Sequence, residues 1–212
     1  LYRNFGYGFY CIGYPVVTGL EALQKAGMTS ERDFLLYDFR QTADVFVKNG
    51  LNFPKSEVNY EQSIIAPAVQ FLLEMFQATS DKRYLNAAIG MMPALEALQW
   101  HQPSYHLCEI GIRHWDCYWF GKHRMWGDTF PHYWSVVTAA AYHRYAQVTG
   151  DVSYQQRALQ TVHGNLSLFA EDGRGSCAFV YPRRVNGEVA HFADVLANDQ
   201  DWALLYYLIV NE

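Results

Sequence analysis

The sequence predicts an all-α fold made of stacked helical hairpins. One turn pattern recurs three times, as Thr29-Ser30-Glu31-Arg32-Asp33-Phe34, Thr79-Ser80-Asp81-Lys82-Arg83-Tyr84 and Thr149-Gly150-Asp151-Val152-Ser153-Tyr154, at intervals of 50 and 70 residues. Each copy joins two helix-length apolar stretches, and a recurring helix-turn-helix unit means hairpins that bury their faces on one another. The connections also alternate: those at 27–30, 79–81 and 149–151 are short, and those at 49–59, 101–131 and 171–197 are long. Antiparallel neighbours place every second connection at the same end. The three long loops should therefore gather at one end of the stack and form a pocket there.

Taken in order, residues 9–26 read as an apolar helix interrupted by Pro15 and closed by Gly27. A second helix opens at Thr29, with Thr29 or Ser30 as cap and acids in the first turn where the dipole favours them. It runs to about Lys48 before Asn49-Gly50. The third, over 60–78, is apolar on nearly all sides, and the fourth runs from Lys82 to about Trp100. A fifth spans 132–147, again apolar, and a sixth runs from 152 to about Ala170 with Ala158, Leu159, Val162, Leu166 and Phe169 on one face. All-round apolarity assigns the third and fifth helices to an inner layer, and one-sided apolarity assigns the fourth and sixth to an outer one. Ala178–Tyr181 and Val189–Phe192 flank Asn186-Gly187 and predict a β-hairpin between them. A seventh helix starts near Asn198.

The chemistry concentrates in residues 109–135. This stretch sets Arg113, His114, Asp116, Lys122, His123, Arg124, Asp128 and His132 among Trp115, Tyr118, Trp119, Trp126, Tyr133 and Trp134. It has no helical or strand period, and Gly121, Gly127 and Pro131 punctuate it. A loop this rich in both rings and charges reads as a binding surface rather than a connector. Each inner helix should also aim its N-terminus at the pocket, bringing Glu57 and Glu61, then Asp128, His132 and Tyr133, then Asp199, Asp201 and Trp202. Helix N-termini attract anions through the dipole and their free N–H groups.

Composition narrows the classes. The 212 residues are half hydrophobic, enough for a large core, and carry a net charge of −5, which argues against a nucleic-acid partner. Aromatics reach 17%, with 16 Tyr and 6 Trp, a supply of rings that suits sugars. No run approaches the ~20 apolar residues of a membrane span. Cys11, Cys108, Cys117 and Cys177 form no dense framework and read as mostly free or buried thiols, with room for one disulfide among them. The spacings of His101, His106, Cys108, His114, Cys117 and His123 match no zinc pattern, so no metal is expected. No phosphate loop, nucleophile elbow or dinucleotide fingerprint is present, so no cofactor is expected. Asn165-Leu166-Ser167 matches a glycosylation sequon, discounted because it falls in a helix. The opening on Leu1 and the end just after the apolar run 202–210 suggest a piece of a longer protein, a single catalytic domain cut at one or both ends.

The segments 118–135 (Tyr-Trp-Phe-Gly-Lys-His-Arg-Met-Trp-Gly-Asp-Thr-Phe-Pro-His-Tyr-Trp-Ser) and 197–202 (Ala-Asn-Asp-Gln-Asp-Trp), with the repeated turns, resemble the six-hairpin, (α/α)-toroid carbohydrate-active enzymes. That group holds glycoside hydrolases and polysaccharide lyases. The resemblance implies an (α/α) toroid, incomplete here because seven helices are about half of twelve. It also implies an oligosaccharide or polysaccharide substrate, acidic if the basic cluster binds a uronate. A periplasmic or secreted location follows if the protein degrades glycans, with the cytoplasm as the alternative.

Two chemistries fit. Glycosidic hydrolysis needs a carboxyl pair. Asp128, flanked by Trp126 and Phe130, is the expected acid or base with Glu61 or Asp116 as partner, unless Asp128 merely caps the fifth helix. Lyase chemistry instead needs cations on the uronate carboxylate and a His or Tyr base. Arg113, Lys122 and Arg124 serve the first need, and His114, His132, Tyr118 and Tyr133 the second. His123, Trp119, Trp126, Asp199 and Trp202 complete the expected substrate contacts. Hydrolysis is the leading expectation, elimination the alternative, and a non-catalytic glycan-binding repeat module the reading from another class.

Overall fold

The computed structural model describes residues 16–52, 62–97, 128–132, 135–166, 169, 171–173, 178–181, 184–185, 188–189 and 201–212, with the backbone alone at 52, 62–64, 128–132, 178–181, 184–185, 188–189 and 201–202. Among these residues there are seven α-helices: α1 (Val16–Lys25), α2 (Thr29–Asn49), α3 (Gln62–Thr79), α4 (Lys82–Ala97), α5 (Ser135–Thr149), α6 (Val152–Asn165) and α7 (Asp201–Asn211). Four short strands accompany them: β1 (Asp128–His132), β2 (Ala178–Tyr181), β3 (Arg184–Val185) and β4 (Glu188–Val189).

The layers follow the sequence pattern. Every residue from Ile65 to Met75 of α3 and from Ser135 to His143 of α5 is buried, as all-round apolar helices must be. α1 packs on α3, α3 on α5 and α5 on α7, giving an inner series, while α2 and α4 touch on the outside and α6 covers α5 and α7. Gln70 Nε2 donates to the Val137 carbonyl at 2.8 Å, tying α3 to α5 inside the core. The fold is thus an arc of an (α/α) toroid.

Two of the short turns are the same device. Thr79 and Thr149 each donate their hydroxyl back to the carbonyl four residues earlier, Met75 and Tyr145, and accept from the amides of Asp81 and Asp151. The carboxylates of Asp81 and Asp151 then accept from the amides of Arg83 and Ser153, capping the helices that follow. Between Thr and Asp the chain turns left-handed, at Ser80 (φ +58°) and Gly150 (φ +78°). The first turn departs from this scheme. Its left-handed residue is Gly27 (φ +73°), so α2 starts at Thr29 behind Met28 and no side chain caps it. The expected Thr29 or Ser30 cap is therefore corrected: Gly27 turns the chain before the motif is reached.

Several boundaries move as well. The fifth helix begins at Ser135 and not 132, because 128–132 is extended and paired. The sixth stops at Asn165, leaving Leu166 at 37% exposure rather than on the buried face, while Phe169 packs on the core from beyond the helix. The strand 178–181 pairs with β1, and Val189, expected to pair with it, pairs with Arg184 instead, so the shorter β3 and β4 stand on either side of positions 186–187, while 190–192 lie outside the described residues. The Asn-Gly signal marked a place with paired strands on both sides, but the longer strand found a partner from another loop.

The outer helices meet through a repeated joint. Near the start of α4, Tyr84 donates its hydroxyl to Asp44 of α2 at 3.3 Å and Arg83 pairs with the same carboxylate. Near the start of α6, Tyr154 donates to Glu96 of α4 and Arg157 pairs with Glu96. The beginning of each of these outer helices thus lies against an acid in the later part of the one before.

Candidate functional site

β1 and β2 come from two of the long loops, 101–131 and 171–197, and their antiparallel pairing brings those loops together next to the N-terminus of α5. For these two loops this agrees with the gathering that the alternation of connections implied, while 53–59 of the third lie outside the described residues. The register sets Asp128 opposite Tyr181, Thr129 opposite Val180 and His132 opposite Ala178, with an irregularity between Thr129 and His132. That irregularity contains Pro131, which cannot donate to a ladder and belongs at such a break.

Asp128 is therefore not a cap of the fifth helix, since it stands in a strand seven residues before Ser135 (135 − 128 = 7). His132 closes that strand, and Trp202 sits in the first turn of α7. Glu61, Arg113, His114, Asp116, Trp119, Lys122, His123, Arg124, Trp126, Tyr133 and Asp199 lie outside the described residues. The ribbon adds Tyr181, whose backbone position is directly across from that of Asp128. The sequence marked 178–181 as a strand, but the mistaken pairing with 189–192 hid Tyr181 as a neighbour of the loop.

Other ionisable groups of the core serve the fold. Glu74, with a 1% exposed side chain, pairs with Arg144 of α5 at 2.5 Å and accepts from the Val17 amide at the start of α1 at 2.9 Å. One carboxylate thus joins three inner helices and caps one of them from a distance. Burial pushes its pKa above the ordinary carboxylate range, against the opposing pull of Arg144 and the Val17 amide. Glu74 and Arg144 each stand five residues before a short turn (79 − 74 and 149 − 144), at the end away from the long loops.

His143 is buried and engaged at both ring nitrogens. Its Nδ1 lies 2.7 Å from Gln155 Oε1 and its Nε2 2.9 Å from Gln147 Nε2. Since the amide nitrogen can only donate, Nε2 accepts and Nδ1 carries the proton. Gln155 in turn donates to the Val210 carbonyl, so the chain of bonds links α5, α6 and α7. A cleft of about 300 Å³ among α1, α2 and α3, lined by Leu20, Glu21, Lys25, Arg32 and Gln77 among others, lies at the short-turn end and contains none of the expected site residues. Among the described residues no His, Cys, Asp and Glu cluster could hold a metal, and no helix is long and apolar enough to cross a membrane.

No protein-family profile and no curated protein matches the sequence. Among solved structures, one described as a polysaccharide lyase matches all of this chain at 57% identity with a TM-score of 0.82. The chain spans about a third of that protein, 32% of its length. The resemblance to the six-hairpin carbohydrate-active enzymes thus holds in sequence and in fold: from end to end, this chain is similar to one stretch of a polysaccharide lyase.

Proposed function

We propose that this chain is part of an enzyme that cleaves a uronate-containing polysaccharide by β-elimination. The likeness to a polysaccharide lyase at 57% identity carries this reading and moves the weight from hydrolysis to elimination. The basic loop supports it, because elimination needs cations where hydrolysis needs a carboxyl pair. Arg113, Lys122 and Arg124 neutralise the uronate carboxylate, which acidifies the C5 proton and stabilises the enolate-like charge formed when that proton leaves. His132 or Tyr133 takes the proton, with His114 and Tyr118 as the remaining candidates. The bond from C4 to the leaving oxygen then breaks, the oxygen takes up a proton, and a 4,5-unsaturated uronate remains. Trp119, Trp126 and Trp202 offer ring faces to the sugars, and Asp128 orients one of the groups around it, with Tyr181 across the ribbon. His123 and Asp199 lie in the same loops and contact substrate.

A panel of uronate-containing oligosaccharides tests this, with reducing ends and the ultraviolet absorbance of unsaturated uronate followed together. Elimination raises both signals in step. New reducing ends without absorbance would replace it with hydrolysis by Asp128 and Glu61 or Asp116. Binding without either signal would make the chain a glycan-binding module. If elimination is found, removing the true base among His132 and Tyr133 should lower turnover by roughly 10²–10⁴-fold.

A further inference from the structure

The cleft at the short-turn end has a chemistry of its own. It measures about 300 Å³ and is lined by α1, by the last turn of α3 and by one residue of α2. Val17, Leu20 and Ala78 give it an apolar wall. Leu20 and Gln24, and likewise Glu21 and Lys25, stand four residues apart and so adjoin along one side of α1. Gln77 adds a second carboxamide from α3.

Charge is divided along this cleft. Glu21 stands nearer the start of α1, where the Val17 amide donates to Glu74, and its charge opposes the ionisation of Glu74. Lys25 ends α1, and Arg32 stands near the start of α2, just past the Gly27 turn. The two cations therefore flank one end, on a chain whose net charge is −5. Arg32 has a side chain 29% exposed and gives Nη1 to Asp33 at 2.7 Å, one of the several N–H donors of a guanidinium. Among the described residues Lys25 and Glu21 form no ion pair.

We infer that this cleft binds a free sugar acid, a hydroxylated carboxylate the size of one monosaccharide. Lys25 and Arg32 hold its carboxylate. Its hydroxyls donate to Glu21 and exchange hydrogen bonds with the carboxamides of Gln24 and Gln77. The C–H face of the ring lies on Val17, Leu20 and Ala78. A volume of about 300 Å³ is at the small end of ligand sites and suits one sugar ring, not a chain. The site is separate from the long loops, and the inference stands whether the reaction there is elimination or hydrolysis.

An NMR titration of the isotope-labelled protein tests it, following the methyl signals of Val17 and Leu20. D-glucuronate is the probe, with D-glucose, acetate and inorganic phosphate for comparison. Exposed charges set a modest affinity, so glucuronate should saturate with a dissociation constant on the order of 1 mM. Glucose lacks the carboxylate and acetate the hydroxyls, and each should bind weaker by roughly tenfold or more. Lys25→Gln and Arg32→Gln should each weaken glucuronate by a similar factor. Lys48→Gln, at the far end of α2, should leave it unchanged, with helical content checked by circular dichroism in all three. No saturable shift at Val17 and Leu20 would overturn the inference. Glucose, acetate or phosphate binding as well as glucuronate would overturn it too, since the site would then not read a sugar acid. So would glucuronate binding that survives both cleft substitutions and is lost in Arg124→Gln, which puts the ligand at the long loops and leaves the proposed elimination untouched.

Discussion

Glu74 shows how one side chain can set a pH dependence for the whole arc. Burial raises its pKa, so the folded state holds the proton more tightly than the unfolded chain does. Its contribution is present in full below the ordinary carboxylate pKa of 4.5 and is lost as pH rises through the folded value. Glu74→Gln should remove that part of the slope, so that the stability gap between wild type and variant narrows towards neutral pH in urea titrations. A gap that widens with pH would show that the Arg144 pairing outweighs burial. Glu74→Ala, which leaves Arg144 without this partner and the Val17 amide uncapped, should cost about 3 kcal/mol. The two copies of the Thr–Asp turn permit a second residue-scale comparison. Ser80 holds φ +58° with a side chain where Gly150 holds +78° without one. Ser80→Gly should therefore be neutral to stabilising by up to about 1 kcal/mol, and Gly150→Ala should cost about 1 kcal/mol although nothing lies within 4 Å of the added carbon. Thermal melts of the two variants would move in opposite directions; a shift of the same sign in both would defeat the argument.

At the scale of elements, the joint between outer helices should be a measurable unit. Tyr154 is held by burial and the bond to Glu96 with its pKa well above the ordinary tyrosine range, so its phenol stays protonated through neutral pH. Tyr154→Phe keeps the ring contacts with Tyr142 and Tyr145 and loses only the bond to a carboxylate, at a cost of about 1.5 kcal/mol. Tyr84→Phe should cost less, since that bond is 3.3 Å long and Asp44 is half exposed. Equal losses in chemical denaturation would mean that the two joints do not differ as their geometry requires. Helices were the readable part of this sequence because periodicity and burial agree in them. The all-round apolarity of Ile65–Met75 and of the fifth helix placed both in the inner layer correctly. Cap and partner identities were less readable. Gly27 turned the chain ahead of the Thr29 motif, a choice between two adequate turn residues that local spacing does not decide. Ala178–Tyr181 was visible as a strand, yet its partner was 50 residues upstream (178 − 128 = 50), beyond the reach of any turn rule.

For the whole molecule, the readable feature was topological. Alternating short and long connections put the long loops at one end without knowledge of any contact, and the β1–β2 ribbon is where two of those loops meet. The candidate site was drawn from residue types alone: rings, cations and carboxylates packed into 109–135 and 198–202. Residue types do not decide between elimination and hydrolysis, because that depends on which side chains face the same sugar atoms, a long-range property of the fold. The ribbon can be tested by itself. Thr129 and Val180 are cross-strand partners, and partners in an antiparallel pair have Cα atoms about 4.5–5.5 Å apart, within disulfide range. A Thr129→Cys, Val180→Cys double variant should form that bond in oxidising buffer, seen as a cross-linked peptide by mass spectrometry. Closing a loop of about fifty residues should also raise stability by up to roughly 4 kcal/mol, less any strain introduced. A variant that keeps its helical spectrum yet forms no cross-link would separate the two loops and remove the basis for a shared site. If the bond forms and the proposed turnover persists, the ribbon stays closed through the reaction cycle. Forming the bond with loss of turnover that returns on reduction would instead mean that the ribbon must open during the reaction cycle.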